Sequence, residues 1–368
     1  MANDARSIRR FLSAIPAHCP VDSLDYLHLL NWPASLPHPL EFLTEHGFSG
    51  TLSAGRISVA QQAEPYLNRL STIVVSDHPS DNKPSNGTLL ELPQGRTAAL
   101  MTIQAGLDAL TPNARLWLFG NRDTGIMRIA KSFSNVETVF YKGHYRLLSL
   151  STESQCLDTG FEEQRKKLAK SDFFHHMTVK GLSLATLPGT FSWQEPDSAS
   201  LMLLETIQAQ QEIKGPVLDW GCGCGLLGLS LAMTDQQLEV TLADDQWSAI
   251  RSTERAIQLN DQLGLSERCT VIAENGIGPK LSGSRFRTVI TNPPFHRGNR
   301  MDRETTNLFI QQVSSAMHLK GTLWLVGNQF LNYTPLLEAA FKVVSKPAEN
   351  ERFCVWQAQG VRLNKSRY

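Results

Sequence analysis

The sequence predicts an α/β fold in two consecutive halves, each a mostly parallel sheet covered by helices. Three observations predict it. Short apolar runs alternate with stretches of helical period along the whole chain, the pattern of βαβ units. The length, 368 residues, matches about two domains. A charged segment, Glu162-Glu163-Gln164-Arg165-Lys166-Lys167-Leu168-Ala169-Lys170, reads as an exposed helix or linker between them. The expected division is residues 1–170 and 171–368.

In the first half, Thr72-Ile73-Val74-Val75-Ser76 reads as a short buried strand closed by a turn-rich stretch at 78–87. A helix is expected over 98–110, ending at Thr111-Pro112-Asn113. Arg115-Leu116-Trp117-Leu118-Phe119 is a second strand, followed by a helix near 126–133 and a strand near 138–141. No glycine-rich loop joins a strand to a helix in this half. In the second half, strands are expected at 217–220, 239–243, 270–273, 288–291, 322–326 and 353–357, with helices at 248–260 and 307–317 between them. A ligand then belongs at the carboxyl ends of the strands, near the switch point of the sheet. There is no repeat of fixed period, so any likeness between the halves is one of fold.

Composition narrows the classes. With 41% hydrophobic and 19% charged residues the chain is an ordinary globular protein, which excludes disordered, collagen-like and disulfide-framework chains. The 35 basic side chains balance 35 acidic ones, and this evenness argues against a wholesale basic nucleic-acid binder. Six cysteines without framework spacing fit a reduced, cytoplasmic setting. No signal peptide and no membrane-spanning run are read in the sequence.

Val217-Leu218-Asp219-Trp220-Gly221-Cys222-Gly223-Cys224-Gly225-Leu226-Leu227-Gly228 is a strand running into a glycine turn and a helix. Glycines permit the tight turn and let a ligand lie against bare backbone. Two readings compete. Gly223-x-Gly225-x-x-Gly228 satisfies the dinucleotide fingerprint, whereas Asp219-x-Gly221-x-Gly223-x-Gly225 resembles the first motif of S-adenosylmethionine-dependent methyltransferases. Asp244, just after the second strand, is placed to take ribose hydroxyls. Asp245 is expected to cap the helix that follows. Asn275, after the third strand, is a candidate for the adenine ring or an ordinary turn residue. Cys222-x-Cys224 lacks the second ligand pair of a zinc site, and no metal is expected.

The sharpest signal is Thr291-Asn292-Pro293-Pro294-Phe295-His296-Arg297-Gly298. Two prolines stiffen the loop, and the residue before a proline is driven to an extended conformation. The Asn292 amide oxygen and the Pro293 carbonyl can then accept hydrogen bonds from one –NH₂ group. An amine conjugated to a ring is a weak nucleophile; two acceptors draw its nitrogen toward tetrahedral geometry and aim the lone pair. Phe295 offers a flat face for a base. His296 is a candidate proton relay or a packing residue, and Arg297 a phosphate contact or a solvated loop residue. The same logic serves adenine N6, cytosine N4 or a glutamine amide.

With both motifs in hand, the chain resembles a bacterial family of ribosomal RNA guanine-N2 methyltransferases. The likeness rests on Leu187-Pro188-Gly189-Thr190-Phe191-Ser192, Asp197-Ser198-Ala199-Ser200-Leu201-Met202-Leu203-Leu204, the 292–298 loop, Val326-Gly327-Asn328-Gln329-Phe330-Leu331, Arg352-Phe353-Cys354-Val355-Trp356 and, in the first half, residues 120–126. It covers most of residues 90–358.

The resemblance implies two tandem Rossmann-like class I methyltransferase domains, mostly parallel twisted sheets, with an antiparallel C-terminal strand in the second. It makes residues 1–170 a degenerate domain for RNA binding or folding and residues 171–368 the catalytic domain. It assigns Asp219, Gly221, Gly223, Gly225 and Asp244 to S-adenosyl-L-methionine, Phe191 and Asp197 to its methionine end, and Asn292, Pro293, Pro294 and Phe295 to the target base; Asn275 stays a candidate for the adenine ring by position alone.

The small-subunit enzyme of the family is the nearer match, the large-subunit enzyme the alternative. The expected partner is ribosomal RNA, free or within an assembled subunit, bound by a monomer. Trp193, Ala199, Cys222 and Cys224 depart from the family's usual residues. A rival of another class is a catalytically inactive RNA-binding assembly module. Decay at Asp219, Asn292 or Phe295 would mark it, and all three are intact.

Overall fold

The computed structural model describes residues 2–76, 84–168, 174–210, 213–293 and 303–362. The chain divides into two compact units, Met1–Phe173 and Phe174–Tyr368.

The first unit holds β1 (Tyr26–Leu29), β2 (Thr51–Ala54), β3 (Thr72–Val75), β4 (Ser85–Glu91), β5 (Leu110–Asn121), β6 (Glu137–Lys142) and β7 (Tyr145–Ser151). They form one seven-stranded sheet in the order β3-β2-β1-β4-β5-β7-β6. The first five strands run parallel, and β7 lies antiparallel between β5 and β6.

The second unit opens with a hairpin, β8 (His175–Val179) and β9 (Leu182–Thr186). It continues with β10 (Val217–Trp220), β11 (Val240–Asp244), β12 (Cys269–Ala273), β13 (Phe286–Thr291), β14 (Met317–Asn328), β15 (Phe341–Glu349) and β16 (Phe353–Val361). Their order is β12-β11-β10-β13-β14-β16-β15, the first unit's order repeated. Strand β16 is antiparallel to both neighbours.

Successive residues of a strand point to opposite faces, and the second sheet buries both. Val217, Ile290 and Trp324 pack under the Ser198–Ala209 and Leu226–Thr234 helices with Leu203, Leu204 and Leu229. Leu218, Val289, Leu323 and Leu325 pack on the other side with Ile310, Val313 and Trp356. All four residues of β10 are therefore buried, as a strand covered on both faces requires.

One expected boundary is corrected. The helix ends at Asp108, and Thr111, Pro112 and Asn113 belong to β5. The β4–β5 register jumps between the Ser85↔Leu110 and Gly87↔Arg115 pairs. That irregularity takes in Pro112, which has no N–H to give the ladder, and Asn113, whose φ is 68°.

Candidate active site

The carboxyl ends of β10, β11 and β13 converge in the second unit, because β10 pairs with β11 on one side and β13 on the other. The Thr291 hydroxyl donates to the Trp220 carbonyl at 2.8 Å, tying the two central strand ends together.

After β10 the chain turns through Gly221 (φ 74°), Gly223 (φ 58°) and Gly225 (φ 80°), a conformation that side-chain-bearing residues adopt only at a cost. A Cβ on Gly221 or Gly223 would have nothing within 4 Å, so this side of the loop is open. Gly228 is closed: a Cβ there would sit 3.0 Å from the Asp219 side chain. Its bareness lets Asp219 Oδ2 accept the Gly228 N–H at 2.8 Å. Asp219 is thus fully buried beneath the loop, and its Oδ1 has no hydrogen-bond partner. Burial pushes its carboxyl up to about 7; the Gly228 N–H opposes this and the Asp244 charge adds to it.

Asp244 ends β11 with its carboxylate gathering two backbone donors, Gly223 N–H at 3.0 Å and Gln246 N–H at 2.8 Å. The following helix, Trp247–Leu259, starts after Gln246 with no side-chain cap. The N-cap position falls on Gln246 rather than on Asp245, and the Asp244 carboxylate meets the Gln246 N–H. Asn275 is exposed after β12. Beside it lies the buried Glu274, which the sequence reading passed over; its carboxylate accepts the N–H groups of Asn275 and Lys280 and shapes this turn.

Cys222 and Cys224 are buried within the apolar core on the underside of the loop. Burial raises both thiols, Cys224 to about 11.

Asn292 follows β13 directly, and Pro293 is buried. The Asn292 Nδ2 donates to Asp197 Oδ2 at 2.9 Å and to Ser200 Oγ at 2.9 Å. Asp197 is the N-cap of the Ser198–Ala209 helix, its Oδ2 accepting the Ser200 N–H at 2.7 Å. Ser200 was not singled out from sequence; the available signal was its place three residues after a capping aspartate. Pro294, Phe295, His296 and Arg297 lie outside the described residues.

The 187–191 segment lies over the same edge. Leu187 N–H donates to Ser252 Oγ at 3.0 Å, and Gln246 Nε2 donates to the Gly189 carbonyl at 2.9 Å. Phe191 is 54% exposed. Trp193 gives its carbonyl to the Thr186 hydroxyl and meets His175 edge-on.

The donor set suits a nucleoside-bearing, cationic cofactor. The open backbone of Gly221 and Gly223 leaves room for such a ligand, and the Asp244 carboxylate stands at the end of β11. The Asp219 carboxyl lies buried below, raised so far that a neighbouring cation would be needed to hold it fully ionised at neutral pH.

Comparison with known proteins agrees with this geometry. Residues 181–357 match the methyltransferase small domain. The ribosomal RNA small subunit methyltransferase C of Pseudoalteromonas atlantica is 28% identical over 276 residues, covering 74% of this chain and 76% of that protein. The protein of the same name from Yersinia pestis is 37% identical over 180 residues, so the chain aligns with about half of its length, 49%. Among solved structures, the T. thermophilus 16S rRNA N2 G1207 methyltransferase, in complex with AdoMet and guanosine, superposes with a TM-score of 0.73 at 24% identity, covering 91% of this chain and 87% of that one. The fold and site thus define a class I methyltransferase. Within that class, the relatives the chain is similar to are ribosomal RNA small subunit methyltransferases C.

Proposed function

We propose that the chain transfers a methyl group from S-adenosyl-L-methionine to the exocyclic N2 of a guanosine in small-subunit (16S) ribosomal RNA. The observation that carries this reading is the Asn292 amide at the end of β13, its nitrogen turned to Asp197 and Ser200 and its oxygen thereby turned away from them, the orientation that acceptance from an incoming amine requires. The names of the relatives support ribosomal RNA as the substrate class.

Asp244 and the backbone of Gly221 and Gly223 hold the cofactor, which when bound supplies an electrophilic methyl group. The chain's own part is alignment. Asn292 Oδ1 and the Pro293 carbonyl accept the two protons of the amine, draw its lone pair out of conjugation and stabilise the positive charge that grows on nitrogen. That proton becomes acidic only as nitrogen gains charge, so no strong base is needed first.

In this reading residues 1–170 are the degenerate, RNA-engaging domain and residues 171–368 the catalytic one. Two exposed groups next to β14 and β16 favour an RNA ligand. Phe330, 73% exposed, offers a stacking face two residues beyond β14, and the exposed Arg352 precedes β16, which pairs with β14. Their loops are joined by the Gln329 N–H donating to the Arg352 carbonyl at 2.9 Å. The partner is ribosomal RNA, free or in an assembled subunit, and the protein acts as a cytoplasmic monomer. Among the described residues no helix is long and apolar enough to cross a membrane.

The test is transfer of labelled methyl from the cofactor to subunits and to free ribosomal RNA lacking the modification, with the product nucleotide mapped. N2-methylguanosine in 16S RNA is expected. Label on large-subunit RNA, on adenine or only on protein would overturn the assignment.

A further inference from the structure

We propose that Asp197 and Ser200 are positioning residues that lock the Asn292 amide in its productive orientation, a role that rests on the methyl-transfer reading above. The prolines of the loop cannot do this themselves. Pro293 restricts the backbone of Asn292, but the terminal torsion of an asparagine side chain is broad and roughly two-fold. Turning the amide over exchanges its oxygen and nitrogen. The nitrogen would then present N–H to the N–H of an incoming amine, donor against donor.

The geometry prevents that exchange. Both Nδ2 protons are taken, one by Asp197 Oδ2 and one by Ser200 Oγ, each at 2.9 Å. A carboxylate only accepts, so the nitrogen must face it. Both acceptors stand on the first turn of one helix, 95 and 92 residues earlier in the chain. The Asp197 oxygen is itself fixed by the Ser200 N–H at 2.7 Å. Ser200 is 7% exposed. Its hydroxyl adds nothing to the helix cap, which uses its backbone N–H, and serine is a poorer helix former than alanine. The hydroxyl is accounted for by Asn292.

Three variants separate this role from helix capping. Ser200→Ala removes one acceptor and leaves the cap. Asn292→Asp sets two carboxylates against each other. The double variant Asp197→Asn with Asn292→Asp restores a donor–acceptor pair, and the Ser200 hydroxyl can follow, since it donates as readily as it accepts. Because one Asp197 oxygen serves both Asn292 and the Ser200 N–H, the new amide must turn to cap with its oxygen, and the melting temperature shows whether it does.

For Ser200→Ala we expect kcat to fall about tenfold or more, cofactor affinity to stay within about twofold and the melting temperature to hold. For the double variant we expect recovery of about tenfold over Asn292→Asp alone. Hydrogen exchange of the Asn292 side-chain amide, identified by its absence in Asn292→Ala on ¹⁵N-labelled protein, should be slow in the wild type and fast in Ser200→Ala. Unchanged kcat in Ser200→Ala, or no recovery in a double variant that melts with Asn292→Asp, overturns the proposal. If the wild type methylates no RNA, the functional reading falls, and the exchange measurement still decides: slow wild-type exchange released by Ser200→Ala upholds the lock, and fast wild-type exchange refutes it.

Discussion

His28 occupies in the first unit the sheet position that Asp219 holds in the second. Strand β1 pairs Tyr26 with Thr51 and Thr88, as β10 pairs Val217 with Val240 and Thr288, and two residues on stand His28 and Asp219. Carried to the strand ends, the same registers put Gly55 where the second unit has Asp244, and Leu92-Pro93 where it has Asn292-Pro293. The first unit keeps the proline and has none of the three polar side chains. In their place the Glu91 carboxylate accepts the N–H groups of Leu30 and Asn31 at 2.8 and 3.2 Å, just after β1, with Arg56 bonded to Asn31 at 2.6 Å.

One cofactor should therefore bind per chain. Calorimetric titration with S-adenosylmethionine is expected to give a stoichiometry of one, and Asp244→Ala to weaken that single event about tenfold or more, since it loses the ribose acceptor and the clamp on Gly223 together. A second event surviving in Asp244→Ala would contradict the comparison of the two units.

Asn292→Ala should leave cofactor binding intact and lower the rate of methyl transfer by about 10²–10³, the range for removing one preorganised transition-state contact. Single-turnover rates with saturating RNA check this. A loss confined to KM would mean that Asn292 only binds.

Two glycines of the loop should fail in different ways. Gly223→Ala puts a methyl group into open space at φ 58°, so the protein should fold with a penalty of about 1 kcal/mol and lose cofactor affinity. Gly228→Ala drives a methyl group to 3.0 Å from Asp219 and Leu242, and should destabilise the fold by about 1–3 kcal/mol. Denaturant melts and cofactor titrations on the pair distinguish the two effects.

Burial raises Asp219 and Glu91, each to about 7. In the unfolded chain both ionise near 4. Between those values the native protein holds protons that the unfolded chain has lost. Their contribution is fully present below pH 4, declines as pH rises toward 7 and is level above it. Replacing either by its amide removes this dependence. The melting temperatures of Asp219→Asn and Glu91→Gln, relative to wild type, should therefore rise between pH 5 and 8. A difference flat across that range would rule the raised carboxyls out.

Legibility of the strands followed an unbroken apolar run rather than burial, since β1 is buried at Leu27, His28 and Leu29. Strand β10 matches its expected limits at both ends, because a strand covered on both faces is a plain apolar run. Strands β1, β8 and β15 gave no such run. His28 interrupts the first; His175, His176 and Thr178 break up the second; and the third is an edge strand carrying Lys342, Lys346 and Pro347, residues that blunt an exposed edge. The glycine loop, Asp244 and Asn292 were readable because each is an unusual residue beside a strand end. Asp197 was named from the resemblance as a cofactor residue, but its bond to Asn292 spans 95 residues and leaves no local signature. Ser200 was missed for the same reason, since its hydroxyl meets Asn292; the partners of Glu274 are local, Asn275 and Lys280, but a carboxylate in a turn carries no distinctive pattern.

Asn260 bears on where the chain can be divided. Its side chain accepts the Ser183 N–H at 3.0 Å and donates to the Ser183 carbonyl at 2.7 Å, stapling β9 to the helix Trp247–Leu259. Asn260 is 1% exposed, and its amide also donates to the Ala256 carbonyl at 2.6 Å. A fragment cut from its N-terminal neighbour by a protease or by truncation should therefore keep the β8–β9 hairpin and begin at or before Phe174. One begun at Pro188 would leave a buried amide short of two bonds and Leu203 and Leu204 without the cover of Leu182 and Leu184.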